Sequence, residues 1–450
     1  MTKNITSDLA NFASKLTYKK IPQEAINFSK LLILDALACA LAGDNGEETE
    51  KIRALAHSLA LSRESSVIGG GKLSVAGSVL MNSYLITAIT MCDTHRETLT
   101  HIMPEVLPAA LAIAELNGNN GTELLTAVTI GCEIACRIGL GIDYPAFRER
   151  GWHGPGVIGP FGAAAAVGHL LKFNDEKMTL AFGLAGSQAA GTFAAWGTPT
   201  VKFHQCRGSL SGLMAAILAE QNFNSSKEIL TAKDGGLYNS YSNGGKPLRA
   251  VKKLGINWEF QQIALRMWPA ASGLQGMITA LINFVNENQF SFDKVKAVNV
   301  SLSKTPFQMH GRFSKYKAKF EALLSAHYTS AVILRDKKLS LSQFKPECYN
   351  NVVLKKFASN KVIVSHDKNL AGQQCLVLIH FKDGSVLSSQ ASHQLGSPEN
   401  PVSMLEVEDK FRTYGKEKLS KGRINKIISI INKIEKLENV KDLLKTLRIR

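Results

Sequence analysis

Glycine and alanine are concentrated inside apolar, helix-compatible stretches over the first 255 residues. This restricts the architecture more than any other feature of the chain. Ala163 to Ala166 run unbroken, and residues 185–191 read Ala-Gly-Ser-Gln-Ala-Ala-Gly. Small side chains let helix backbones approach closely, which favours a tightly packed helical body. Helices are expected over 22–42, 76–91, 104–117, 121–140, 157–172, 176–195 and 206–222, separated by turns such as Asn117-Gly-Asn-Asn-Gly121. No strand–helix–strand alternation is visible. After Trp268-Pro269 the texture changes. One helix over 271–288 leads into Val298-x-Val300-x-Leu302, which alternates like a strand, and 361–366 and 374–381 also look extended. Gly396-Ser-Pro-Glu-Asn-Pro401 then punctuates the chain before helices resume. The expected fold is mainly α. A large all-helical domain spans residues 1–264, a smaller α+β lid domain spans 265–400, and helices in 401–450 pack back on the first domain, making it discontinuous.

The chain has 450 residues, 45% hydrophobic and 20% charged, with a net charge of +16. That length allows two or three domains. Residues 412–450 carry twelve Lys/Arg against four Asp/Glu, so this tail holds half of the excess. Its isoleucines, Ile427-Ile428-x-Ile430-Ile431-x-x-Ile434, fall on one face of a helix, so the basic residues read as the outer face of a docked helix. No nucleic-acid motif accompanies them, and no nucleic-acid partner is expected. No stretch of 18 uncharged apolar residues occurs, and the amphipathic N-terminus has no signal-peptide core. The expected protein is cytoplasmic and does not span a membrane. Seven scattered cysteines, including Cys132-x-x-x-Cys136, read as free thiols without enough neighbouring ligands for a metal.

Two histidine segments stand out. Arg150-Gly-Trp-His153-Gly-Pro-Gly and Trp196-Gly-Thr-Pro-Thr-Val-Lys-Phe-His204-Gln-Cys-Arg207 each set a histidine and a nearby cation in a Gly/Pro turn ahead of an apolar helix. Helix N-termini and cations suit an anionic ligand, so a pocket for a small carboxylate is expected. Gly154-x-Gly156-x-x-Gly159 matches the spacing of a dinucleotide fingerprint, with Asp175 further on. The fingerprint needs a strand immediately before it, and Phe147-Arg-Glu-Arg-Gly-Trp-His153 is too polar to be one, so no nicotinamide site is expected.

The ordered series of motifs resembles the MmgE/PrpD family, which includes 2-methylcitrate dehydratase, cis-aconitate decarboxylase and iminodisuccinate epimerase. The resemblance runs through Leu34-Asp35, Asp93-Thr94-His95 with His101, Arg150-Gly-Trp-His153, Gly159-Pro-Phe-Gly162, Thr200-x-Lys202-Phe-His204, Trp268-Pro269, Ala322-x-x-Ser325-x-x-Tyr328 and Gly396-Ser-Pro-Glu-Asn400. It covers essentially the whole chain. It implies a helical domain with an α+β lid, a homodimer, an active site between domains, and chemistry needing neither metal nor organic cofactor.

The resemblance makes His153 the central acid/base and His101 the second pocket histidine. Asp93 and Thr94 correspond to a pair that bonds substrate or histidine, with Asp93 as a plain helix cap the alternative. Lys202 and His204 correspond to carboxylate-binding groups, and Tyr328 to a proton donor, against ordinary core packing. Arg207 adds a fixed cation suited to a carboxylate, and Arg148 and Arg150 offer the same or are solvated loop charges. Such groups suit proton abstraction next to a carboxylate, dehydration and decarboxylation alike. The chain also departs from the pattern. Thr90 stands where an Asp is common, the Thr94–His101 interval is one residue longer than usual, and Lys202 is displaced by one position. Gln275 replaces a histidine and so loses a titratable group. The leading expectation is a cofactor-independent lyase acting on a small di- or tricarboxylate, 2-methylcitrate dehydratase-like. An epimerase of the iminodisuccinate type, a cis-aconitate decarboxylase-like enzyme and a silent carboxylate binder are the alternatives.

Overall fold

The computed structural model describes residues 4–312 and 314–449. The chain divides into two compact units. Met1–Ala88, Cys92–Ala264 and Ser403–Arg450 form the first, and Ile89–Met91 with Leu265–Val402 form the second. The fold is mainly helical with a small α+β portion, as expected.

The first unit contains α1 (Ile5–Lys15), α2 (Gln23–Ala42), α3 (Thr49–Ser58), α4 (Val75–Thr87), α5 (Met103–Asn117), α6 (Gly121–Gly141), α7 (Tyr144–Glu149), α8 (Gly154–Leu170), α9 (Asp175–Ser187) and α10 (Thr200–Glu220). Helix α8 is the hub, packing on α5, α6, α9 and α10. Its small residues explain why. A Cβ on Gly162 would lie 2.9 Å from the Gly131 carbonyl of α6, and one on Gly212 of α10 would lie 2.4 Å from the Pro160 carbonyl. These crossings admit only glycine without a shift of backbone.

Two expected boundaries move, and both moves matter. Helix α9 stops at Ser187 rather than continuing to 195, because the chain turns out through Gly191 and Gly197, both at positive φ. Helix α10 begins at Thr200, directly after Pro199, so Lys202 and His204 lie inside its first turns and not in a preceding turn.

Helix α2, extended to Asn45, and helix α6 are both long and apolar enough to cross a membrane, yet 89% and 100% of their apolar windows are buried inside the protein. The two buried charges within α2 are paired. Asp35 meets Lys410 at 2.5 Å, with both side chains 2% exposed, and Lys30 meets Glu435 at 2.5 Å. These contacts pin helix Met404–Gly415 and the segment around Glu435 to the first unit.

The second unit is built on a four-stranded sheet of β1 (Val295–Leu302), β2 (Val362–His366), β3 (Cys375–Phe381) and β4 (Val386–Ala391), in the order β2-β1-β3-β4. β1 pairs parallel with β2 and antiparallel with β3, and β4 pairs antiparallel with β3. Cys375, Val377, Ile379 and Phe381 of β3 point inward, and helix Gln275–Glu287 covers β3 and β4. Strand β4 was not expected. Its sequence, Val-Leu-Ser-Ser-Gln-Ala, is largely exposed and lacks an apolar alternation.

Candidate active site

Three expected histidines come together in the first unit, and the backbone that holds them begins with a proline. Pro160 sits inside α8 and has no N–H to give the Gly156 carbonyl one turn earlier. The freed carbonyl accepts instead from the Ala190 N–H at 3.1 Å and from the Arg207 guanidinium at 2.9 Å. Further bonds run from the His153 N–H to the Gly191 carbonyl (2.9 Å) and from the Phe193 N–H to the Gly151 carbonyl (2.7 Å). The segment after α9 is thereby tied along the entrance to α8. Gly191 is needed there: its φ is +141°, and a Cβ would come within 3.1 Å of the His204 ring.

His153 is the N-cap residue of α8 and His204 lies in the second turn of α10. Their Nδ1 atoms are 2.9 Å apart, with ring centroids 5.1 Å apart. Burial and the neighbouring imidazole hold His153 well below the usual histidine range. Burial, then the Arg207 charge, lowers His204. The pair is therefore neutral at pH 7, with one proton in the Nδ1–Nδ1 contact. Valence fixes the rest. The ring that donates Nδ1–H keeps a lone pair on Nε2, while the ring that accepts carries its proton on Nε2. The pair holds one acid and one base, and gaining a proton removes the base.

His101 precedes α5. Its Nδ1 lies 2.7 Å from the Asp93 carbonyl oxygen and 3.2 Å from Thr94 Oγ1. A carbonyl only accepts, so Nδ1 carries a proton. The Asp93 carboxylate accepts from the N–H groups of Ile102 (2.8 Å) and Met103 (3.1 Å) at the start of α5. Its placement is that of a helix cap whose main chain orients His101. Burial, with Cys92 adding, raises its pKa to about 7 despite those bonds. His101 also acts electrostatically on His153, so the three rings form one neighbourhood.

The expected cations are largely committed to backbone. Lys202 is buried and its Nζ donates to the Ala88 carbonyl, at the end of α4. Arg207 donates to the carbonyls of Gln188, Gly156 and Ala190 and to Ser211 Oγ. Expected from sequence as a fixed cation suited to a carboxylate, it here clamps the loop that carries Gly191. Arg148 donates to the Trp152 carbonyl at 3.0 Å and stands over the Phe193 ring, and Arg150 reaches Asn243.

The remaining site candidates belong to the second unit. Tyr328 is fully buried between Tyr316 and Phe344, and its hydroxyl donates to the Gln343 carbonyl. Here it is a core residue with its proton already spent. Gln275 gives its amide N–H groups to the carbonyls of Trp268 (3.1 Å) and Ala270 (3.3 Å). Thr90 adopts φ +57° and its buried hydroxyl has no hydrogen-bond partner among the described residues. Among the described residues, no group of three or more His, Cys, Asp or Glu side chains is arranged to hold a metal ion. Cys132 and Cys136 are buried, and burial raises both thiols well above the usual range.

Sequence reasoning missed one group in this neighbourhood. Glu105 is fully buried on α5, and neither carboxyl oxygen has a hydrogen-bond partner among the described residues. Its signal was an acidic residue inside the apolar run Met103-Pro-Glu-Val-Leu-Pro-Ala-Ala110.

Comparison with known proteins places this arrangement in a family. The MmgE/PrpD N-terminal domain matches residues 7–249 and the MmgE/PrpD C-terminal domain matches residues 268–436. The chain belongs to the MmgE/PrpD family. It is similar to a cis-aconitate decarboxylase of Aspergillus terreus, at 27% identity over 98% of this chain and 96% of that protein. The cis-aconitate decarboxylase-like protein oryM of Aspergillus oryzae is 25% identical over 98% of this chain and 96% of its own. The cis-aconitate decarboxylase of Homo sapiens is 24% identical over 98% and 93% respectively.

Proposed function

We propose that this protein is a lyase that decarboxylates a small unsaturated tricarboxylate of the cis-aconitate type. The observation that carries the reading is the neutral His153–His204 pair, which holds one N–H acid and one lone-pair base beside His101. In such a reaction the C–C bond to one carboxylate breaks and carbon dioxide leaves. The electron pair passes into the neighbouring unsaturated acid, and an imidazole N–H delivers a proton to carbon. Water restores the proton. The family relationship, and relatives named for cis-aconitate decarboxylation, support this choice over the dehydratase expected from sequence. An epimerase reading rests on Thr90 and Gln275, neither of which titrates.

The test is proton NMR in D2O with cis-aconitate, citrate, 2-methylcitrate and iminodisuccinate. Loss of one carboxyl carbon from cis-aconitate is the expected result. New vinyl signals from a saturated acid would make the enzyme a dehydratase. Deuterium beside a carboxylate with no unsaturated product would make it an epimerase. No change with any acid would overturn the enzymatic reading for this substrate class.

A further inference from the structure

Glu105 packs between the helices that carry His153 and His204, one to two turns further along each. It is four residues past His101 on α5. A Cβ on Gly159, six residues past His153 on α8, would come within 2.2–2.6 Å of its carboxyl atoms. A Cβ on Gly208, four residues past His204 on α10, would lie 3.8 Å from its Oε1. The carboxyl thus fills room that two glycines leave, and it does so without a single hydrogen bond to a described residue. Gln205 Oε1 and the Ser209 hydroxyl, on either side of Gly208 in sequence, are likewise buried without a hydrogen-bond partner among the described residues. Buried polar atoms without partners call for an explanation, because each costs about 1–3 kcal/mol when left unsatisfied.

A bare carboxylate is untenable in such a place, whereas a neutral carboxylic acid is not. We propose that Glu105 is a proton-holding residue of the histidine site, uncharged in the working enzyme, whose ionisation opposes binding of a polycarboxylate beside the histidines. The proposal rests on the carboxylate-lyase reading for its effect on substrate, but not for the protonation itself. Burial raises the Glu105 pKa well above the ordinary carboxyl range, Asp93 and Cys92 raise it further, and Arg207 opposes them. Cys206 of α10 also acts on it, while α8 meets it with Gly159. The two terminal nitrogens of Arg207 are bonded to carbonyls and to Ser211 rather than to Glu105. A negative charge here would act on any anion held at the histidines.

The full-length protein and its Glu105→Gln variant provide the test. At pH 7, infrared difference spectra of wild type against the variant should contain the carbonyl stretch of a protonated carboxyl. Absence of that band would overturn the proposal. Stability should follow the same proton. The unfolded chain releases it near the ordinary glutamate value of 4.5 while the folded protein keeps it. Wild type should therefore lose stability relative to Glu105→Gln as pH rises above 4.5, and a constant difference would count against the idea. With cis-aconitate as substrate, KM of wild type should rise with pH, by about tenfold per pH unit beyond the Glu105 transition, and this rise should be absent from the variant. Coincident KM profiles would overturn the effect on substrate. If Glu105→Gln does not fold, Glu105→Met serves for the infrared and stability measurements. An enzyme inert towards every acid would defeat the lyase reading, and those two measurements would still decide the protonation of Glu105.

Discussion

Two glutamates are fully buried in the helical unit, Glu133 on α6 and Glu105 on α5, and their surroundings are opposites. Glu133 accepts from Arg137 Nε at 2.5 Å and from the Phe260 N–H at 2.9 Å. Arg137 in turn gathers the carbonyls of Ala250, Lys252, Lys253 and Asn257. Every charge there is answered, and the pair ties residues 250–260 to the middle of the unit. Neither Glu105 carboxyl oxygen has a hydrogen-bond partner among the described residues, and the cation that acts on it is bonded elsewhere. A closed polar network holds a fold together, whereas an open one with titratable groups marks a candidate site. The contrast separates architecture from site within one helical body.

The largest expected effect tests the open side. His153→Ala should lower turnover by about 100- to 10,000-fold, the usual worth of a positioned acid or base. Unfolding free energy should fall by only about 1–3 kcal/mol, the cost of leaving His204 Nδ1 without its buried partner. Steady-state kinetics and urea unfolding on the same preparation decide it. A large stability loss with retained turnover would return His153 to the core. On the closed side the pattern should invert. Arg137→Met leaves Glu133 buried without its counter-charge and should cost about 3–5 kcal/mol in urea unfolding, with turnover per folded molecule little changed.

Protonation provides a third, smaller contrast. Both rings of the histidine pair have lowered pKa values in the folded protein, chiefly through burial. The unfolded chain takes up protons near 6.5 and the folded one only at lower pH, so stability drains away as pH falls below 6.5. Relative to wild type, His153→Gln should lack part of this loss, on the order of 1–2 kcal/mol by pH 5. The acid limb of activity should likewise lie below the ordinary histidine value, since protonating the pair removes its lone-pair base. Equal pH slopes for the two proteins would mean that His153 titrates normally.

What could be read from sequence divides along the same line. The helical body was visible because it rests on local composition, in the alanine run of α8 and the glycine turn before α6. His153 was visible because Gly154-Pro155 marks a helix start, and the residue sits at the N-cap. The fates of Arg207 and Tyr328 were not visible. Their hydrogen bonds go to main-chain carbonyls 17 to 51 residues away for Arg207 and 15 away for Tyr328, and no side-chain motif records an acceptor of that kind. Lys202 is a similar case, bonded to a carbonyl 114 residues away. Glu105 was hidden for another reason. A lone acid in an apolar helix is informative only once both of its neighbours are known to be glycines.

Those glycines supply the finest test. Gly159→Ala adds a Cβ against the Glu105 carboxyl, the movable end of a side chain, so the clash should be relieved at a cost of about 1 kcal/mol or less. In a Glu105→Ala background the obstruction is gone. The same substitution should then stabilise, by roughly 0.5–1 kcal/mol, since alanine is the better helix former. A reversal of sign in the double-mutant cycle would place the coupling in this one contact. Gly212 is the control: its added Cβ would meet the Pro160 carbonyl and the Ala164 nitrogen, which cannot swing aside. Removing Glu105 should leave Gly212→Ala as damaging as before. If Gly159→Ala costs the same with and without Glu105, the carboxyl is not the neighbour that reserves this space.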